Sequence, residues 1–497
     1  MQLVAYGAQD VYLTGKPQIT FWKLMYRRHT NFATESIAQT FNGTPGFGRR
    51  AAATISRNGD LISHVFLQIK APKLAQPVRN EVAITEATNL PMWDYETKTQ
   101  TYFTSNDDGT HSLGKVGAYA RYCNSFAHAL VDYCEIEIGG QRIDKHYSAY
   151  YEAMDELTGS EDKRSGYGKM VGKAIGQDGR PADAYNPRDK TTAATINTHA
   201  GKDDEVTFYM PLRFWFNSNP GLALPLIALQ YHEVKIGIQF RNLADLVTWD
   251  IGFGPNNNET TIAAPATADL PAITQGLTAP YAPYTPAASA DTNEGSLSVE
   301  LYVDYVYLDT DERRRFAQNQ HEYLIEQLQF TGSETQTLNG GTTATPVSGR
   351  YRLNFNHPCK ELIFFAQDQL DVSEKNMHFN FGENTGVKGV EYVKSVELKL
   401  NGHDRFSARD GSYFRLVQPY MCHTRVPSRH VYCYSFGLRP EEHQPSGSCN
   451  FSRIDNATLH LTYGPMQNET TLRLTVYAVN YNILRIMSGM GGLAYSN

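Results

Sequence analysis

The chain has no apolar run approaching the ~20 residues that a membrane-spanning helix needs. Its longest candidate, GLALPLIAL (221–229), is interrupted by a proline. The start, MQLVAYGAQD, has no basic stretch followed by an apolar one, so no secretory signal is expected. Cysteine is scarce. The six (Cys123, Cys134, Cys359, Cys422, Cys433, Cys449) lie far apart in 497 residues, which excludes the small disulfide-stapled class and favours reduced, buried thiols. Positive charge is thin as well. The formal net charge is −7, and the densest basic runs are Arg313-Arg314-Arg315, Arg27-Arg28 and Arg49-Arg50. A protein that packages nucleic acid by direct contact carries a basic arm or patch, because phosphate neutralisation dominates that affinity. No direct nucleic-acid partner is expected here.

Catalytic motifs are missing too. His232-Glu233 and His321-Glu322 lack the second histidine of a zinc-protease motif. Adjacent strand residues also point to opposite faces, so His232 and Glu233 cannot share a site. Neither a nucleophile elbow nor a phosphate-loop pattern occurs. GYGKMVGKA (166–174) has the wrong spacing for phosphate and reads as a mobile loop. MCHTRVPSRHVYC holds Cys422, His423, His430 and Cys433, but zinc sites favour cysteines two to four residues apart, so packing is the expected role. The neighbouring acids Asp155-Glu156 and Asp311-Glu312 read as solvated faces. Five glycosylation sequons (Asn42, Asn258, Asn450, Asn456, Asn468) are near chance for this composition. No catalytic, cofactor-binding or metal-binding residue is predicted, and the chain is not expected to be an enzyme. A glycosidase, whose two acids can lie far apart in sequence, and a tandem β-sandwich glycan-binding protein remain as alternatives at this point.

What is present is strand. Hydrophobic residues make up 41% and charged residues 20%, a globular balance, and at this length two domains are the prior. Tyrosine and phenylalanine total 54, glycine and proline 62, a mix that suits many short strands. Strand-like runs occur at 61–71, 134–140, 205–216, 229–240, 297–308, 361–367, 393–402, 430–438, 457–463 and 471–483. In 299–305, Val299, Leu301, Val303 and Tyr305 share one face. The best helical run is YSAYYEAMDEL (147–157). Residues 72–118, 159–204 and 254–295 look like excursions, the last an irregular surface projection.

The two halves of the chain resemble each other. EIEIGGQRID at Glu135 parallels ELKLNGHDRF at Glu397, each a strand followed by a tight-turn dipeptide. FWFNSNP at Phe214 parallels YSFGLRP at Tyr434, VFL at Val65 parallels IFF at Ile363, and VELYVDYVYL at Val299 parallels LRLTVYAVNY at Leu472. Four matches in one order indicate two copies of a many-stranded β unit, the first with longer loops. The first ends near Leu308 and the second starts near Glu322. Between them, LDTDERRRFAQ places Asp309 and Glu312 at capping-box spacing with arginines one turn on, so a single helical turn is expected as a rigid joint. Eight or so strands per copy suit a jelly roll.

Several long strings carry a resemblance to a known family: YGAQDVYLTGKPQITFWKLMYRRHTNFA (6–33), LPLIALQYHEVKI (224–236), HEYLIEQLQFTG (321–332), NHPCKELIF (356–364), CNFSRIDNATL (449–459) and YNILRIMSGMGGLAYSN (481–497). The chain resembles the major capsid proteins of nucleocytoplasmic large DNA viruses, the iridovirus, phycodnavirus and marseillevirus kind. The resemblance implies an all-β double jelly roll, two eight-stranded sandwiches in tandem with long surface loops and few short helices. It divides the chain into an inward-facing segment 1–24, a first domain 25–311, a linker 312–320 and a second domain 321–497. It further implies a late structural protein that forms homotrimers. These pseudo-hexameric capsomers tile an icosahedral virion around an internal membrane, with minor capsid and penton proteins as partners and assembly in the host cytoplasm. The long loops, 254–295 especially, are then outward towers.

Overall fold

The computed structural model describes residues 7–72 (except 20, 23 and 25), 117–173, 206–252, 297–338, 346–373, 376–382, 391–464 and 470–495, with four short strands between 83 and 112. The excursions 72–118 and 159–204 are described only in part. All of 254–295, including Asn258, lies outside the described residues, as does Asn468.

Among the described residues, sixteen main strands, with a few shorter ones beside them, build two sandwiches. The first lobe holds β1 (Phe32–Gln39), β2 (Arg50–Thr54), β3 (Leu61–Ala71), β4 (Val131–Ile138), β5 (Gln141–Tyr147), β6 (Val206–Pro211), β7 (Val234–Phe240) and β8 (Ser298–Leu308). The second holds β9 (His321–Phe330), β10 (Val347–Arg352), β11 (Pro358–Asp368), β12 (Val393–Leu400), β13 (His403–Asp410), β14 (Tyr432–Ser435), β15 (Ala457–Tyr463) and β16 (Thr470–Met487). In the first lobe the sheets run β1-β8-β3-β6 and β5-β4-β7-β2. In the second they run β9-β16-β11-β14 and β13-β12-β15-β10. Each of the first eight strands thus has its counterpart eight places on, in the same position in the equivalent sheet. The chain is a double jelly roll.

Local chemistry explains much of this. The β4–β5 and β12–β13 hairpins turn on Gly139-Gly140 and Asn401-Gly402, all four at positive φ, which glycine and asparagine adopt at little cost. Along β3, Val65, Leu67 and Ile69 are buried while His64 is exposed and Phe66, Gln68 and Lys70 are half-buried, the alternation of a sheet with one face on a core. The strand β11, with the apolar run Leu362–Ala366 at its centre, shows no such alternation and is buried on both faces.

Three expectations need correction. The strand expected over 205–216 stops at Pro211. Trp215–Ser218 is helical because the Asn217 side chain accepts from the Phe214 backbone N–H at 3.0 Å. GYGKMVGKA is not a loop: Glu161–Val171 is a helix with acids in its first turn, Lys169 in its last and Gly172 at φ 81 beyond its end. A Cβ at Gly172 would come within 2.7 Å of the Phe208 ring, so the glycine permits close packing on β6. The VFL/IFF match is out of phase by one residue, since Val65 faces its own lobe's core whereas Ile363 faces the other lobe.

The joint is longer than one turn. Thr310–Gln318 forms a nine-residue helix, and the Asp309 carboxylate accepts from the Glu312 N–H at 3.0 Å, as the capping spacing anticipates. Arg313 pairs with Asp60 of the first lobe at 2.9 Å, and Asp60 also accepts from the Leu308 N–H. At the other end the Phe316 ring stacks on His321, whose Nε2 meets the Phe316 carbonyl at 2.7 Å. The arginine run is structural at Arg313. Asp309→Ala removes the cap and is expected to lower unfolding free energy by about 1 kcal/mol in a denaturant titration.

Candidate assembly site at the lobe junction

The lobes meet over two layers. One is aromatic. The helix Ser148–Thr158, which follows β5, brings Tyr150 to within 5.8 Å of Tyr477 on β16, ring centre to ring centre. Tyr147 lies 4.8 Å from Phe330 on β9, and Phe330 lies 5.1 Å from Tyr477. Ile363, Phe365, Cys433, Tyr477 and Val479 of the second lobe belong to the first lobe's hydrophobic cluster, not their own.

The other layer is ionic. Helix Ser148–Thr158 carries Glu152, Asp155 and Glu156 at i, i+3 and i+4, one stripe on its surface. Expected for Asp155-Glu156 was a solvated face; both are buried, as is Glu152. Their partners come from elsewhere. Lys173, just after the helix Glu161–Val171, is 1% exposed, lies 2.9 Å from Glu152 and pairs with Asp155. From the second lobe, Arg429 pairs with Glu152 at 2.8 Å. Arg425 donates to the Asp155 carbonyl at 2.8 Å and to the Glu156 carbonyl at 3.0 Å. Ser428 donates its N–H and hydroxyl to the Glu156 carboxylate at 3.1 and 2.8 Å. His128 Nδ1 donates to Glu152 at 2.7 Å, and its Nε2 faces the Tyr167 hydroxyl.

Three acids thus face three strong cations inside the protein. Burial alone raises the Glu156 carboxyl, but Lys173, Arg429 and Arg425 overcome it and hold it down at about 2. Glu152 is likewise kept well below the usual range against burial, by Lys173 and Arg429. Burial lowers Lys173, yet the three carboxylates carry it above its ordinary value. The cluster is charge-balanced and desolvated, an arrangement that fixes geometry more than it adds net stability.

Packing was expected for the histidines and cysteines of MCHTRVPSRHVYC; Cys433 is buried, but His423 is held by carboxylates. His423 lies between Glu361 (3.2 Å) and Glu441 (3.0 Å). Burial lowers this imidazole, but bonds to Cys433, Glu361 and Glu441 push it up to about 12. His430 sits apart from these carboxylates' bonds, and burial and Arg415 push it down to about 4. Among the described residues no group of three or more His, Cys, Asp or Glu is placed to hold a metal ion. Asn42, Asn450 and Asn456 are exposed.

One further element stands out. Ahead of the first lobe's opening strand, several described residues have large apolar side chains uncovered: Tyr12, Ile19, Phe21, Trp22 and Tyr26 are all more than four-fifths exposed. Such a surface on a globular chain marks an interaction segment.

Comparison with known proteins agrees with this architecture. Residues 20–309 match the family described as major capsid protein N-terminus, and residues 312–492 the one described as large eukaryotic DNA virus major capsid protein. A major capsid protein of Phaeocystis pouchetii virus is 40% identical across all of this chain and 99% of its own length. That of Paramecium bursaria Chlorella virus 1 is also 40% identical, with the same coverage. The crystal structure of PBCV-1 VP54, fitted into a reconstruction of the virophage Sputnik, superposes with a TM-score of 0.65 at 34% identity, over 96% of this chain and all of its own. The Faustovirus major capsid protein superposes at 0.63 with 13% identity, over 97% of this chain and 94% of its own, a likeness of fold.

Proposed function

Because the chain belongs to the large eukaryotic DNA virus major capsid protein family, whose members are structural proteins of the virion shell and not enzymes, we propose that three copies join into one capsomer. Two similar lobes in each of three chains make six, a pseudo-hexagonal tile for an icosahedral facet. The tile encloses an internal membrane, with assembly in the host cytoplasm. In this reading 25–311 and 321–497 are the two domains and 312–320 their linker. The segment 1–24 reaches inward to minor capsid proteins, and penton proteins fill the vertices. The acidic net charge suits a coat that does not touch the genome directly.

The observation that carries this reading is the strand-for-strand equivalence of the two lobes, held at one angle by the buried junction. Mass photometry and negative-stain imaging of the purified protein test it. A stable trimer with a hexagonal outline is expected, and a lone monomer at micromolar concentration would overturn it. The joint offers a second measurement. Glycines inserted after Arg315 break the helix Thr310–Gln318 away from its His321 end, so assembly is expected to fall while both lobes still melt cooperatively. Assembly of that variant at the wild-type level would remove the joint from the account.

A further inference from the structure

Two thiols of the second lobe sit opposite each other on neighbouring strands. All six cysteines are free. Cys359 on β11 is the register partner of Cys449 on the short strand Cys449–Asn450, and among the described residues no other two cysteines are partners in a strand pairing. Opposed residues of an antiparallel pair send their side chains to one face. Here that face is the second lobe's own core: Cys359 is fully buried in it, and the half-buried Cys449 packs against it. Such partners have Cα atoms roughly 4.5–5.5 Å apart. A disulfide spans roughly 4.4–6.8 Å between the same atoms, so the pair lies within reach of a bond. The Cys359 thiol donates to the Glu361 carbonyl at 3.1 Å, and turning it toward Cys449 gives up that one weak bond.

The segment that ends at Cys449 leaves the sheet beside β11 and returns to it. At its departure the Phe436 N–H donates to the Lys360 carbonyl at 2.9 Å, and after its return the Phe451 N–H donates to the His357 carbonyl at 3.1 Å. Between these points it carries Glu441, whose carboxylate holds His423 and Thr424. The returning end is paired to β11 through two residues, Cys449 and Asn450. So short a ladder is a weak fastening, and a covalent bond at Cys449 would replace it at the one place where the segment meets the sheet again.

We propose that Cys359 and Cys449 are a cross-linking site: free thiols in a reducing compartment, they form a disulfide on exposure to a small-molecule disulfide such as oxidised glutathione, and the bond fastens the second lobe. The half-buried Cys449 is the thiol within reach of the oxidant. Its thiolate attacks one glutathione sulfur, a mixed disulfide forms, and the first glutathione leaves as thiolate and takes up the proton. The Cys359 thiolate then attacks the Cys449 sulfur and displaces the second glutathione, which is protonated in turn. Two protein thiols are oxidised and one glutathione disulfide is reduced to two thiols. Burial raises both thiols above their ordinary value, so the exchange is slow at neutral pH and gains speed as pH rises. The site lies within one chain and does not depend on how many copies assemble.

Incubating the purified full chain with oxidised glutathione, then alkylating the remaining thiols and reading intact and peptide masses, tests it. Wild type is expected to lose two hydrogens, to yield a peptide pair joined between Cys359 and Cys449, and to melt about 5–10 °C higher than before treatment. The linking rate should rise about tenfold from pH 7 to pH 8, with the thiolate fraction. Cys359→Ala should stop at a glutathione adduct on Cys449, the intermediate of the exchange, and Cys449→Ser should leave Cys359 reduced. Wild type with and without oxidant is the deciding comparison, so the test survives a variant that fails to fold. A wild type that keeps its six thiols, holds glutathione on Cys449 without linking, or links only between chains would overturn the site. A Cys359–Cys449 bond with no rise in melting temperature would overturn the fastening.

Discussion

Lys173→Met is expected to destabilise the folded chain by about 3–5 kcal/mol, the scale of removing one partner from a buried ion cluster. Methionine fills the volume of the lysine stem, so the loss is electrical. Glu152, Asp155 and Glu156 would then keep only Arg425 and Arg429 as strong cations, beside the bonds from His128 and Ser428, in a buried region. The measurement is chemical denaturation with a probe in each lobe. Because Arg425 and Arg429 come from the second lobe, both probes should shift. A shift confined to the first lobe would show that the cluster does not couple them. Acid should act on the same place. Glu156 titrates at about 2 in the folded chain against an ordinary 4.5, and Glu152 is also depressed. A depressed carboxyl contributes stability that is complete above its unfolded value and is lost as pH falls through its folded one. The junction is therefore expected to hold at pH 5 and to weaken progressively from about 4.5 toward 2. In Lys173→Met that acid-dependent loss should be smaller, since a main cause of the depression is gone.

None of this was legible in YSAYYEAMDEL by itself. The stripe of Glu152, Asp155 and Glu156 at helical spacing is visible in the sequence, and so is the Arg425/Arg429 pair four residues apart in TRVPSR. Which stripe faces water depends on a contact between segments more than two hundred residues apart, and local pattern holds no information about that. The signal that could have found it is arithmetic: three acids on one helix turn with no basic residue at i+3 or i+4 need cations from elsewhere if they are buried. The joint shows a similar limit. Asp309 and Glu312 announce where the helix starts, because capping is a local bond. Its end is set by Phe316 stacking on His321, at the start of the next lobe, so the expected single turn grew to nine residues.

The duplication was more accessible, since strand order repeats and tight turns have their own chemistry. Gly139-Gly140 and Asn401-Gly402 mark equivalent hairpins from sequence alone. Registering VFL on IFF failed by one residue for a physical reason. In the first lobe, β3 has one dry face and shows it by alternation. Its counterpart β11 is dry on both faces, so ELIFFAQ carries no phase from which to align it.

That difference makes two adjacent phenylalanines a test of the whole architecture. Phe364 and Phe365 are both about fully buried, yet Phe364 sits in the second lobe's own core, stacked 5.4 Å from Tyr432, while Phe365 faces the first lobe and lies 4.5 Å from Phe381. Truncating either to alanine should cost about 3–5 kcal/mol. The energy leaves different places. Phe364→Ala empties the sandwich of one lobe, so that lobe should unfold first while the first lobe keeps its wild-type melting behaviour. Phe365→Ala empties the junction, so each sandwich keeps its core and the contact between them loosens. Limited proteolysis should then cut Phe365→Ala faster within 310–320, where the joint helix becomes accessible, and release two lobe-sized fragments. Phe364→Ala should instead be degraded within the second lobe. Identical digestion patterns for the two variants would mean that the faces of β11 do not belong to separate cores, and the account of two lobes locked at one angle would have to be abandoned.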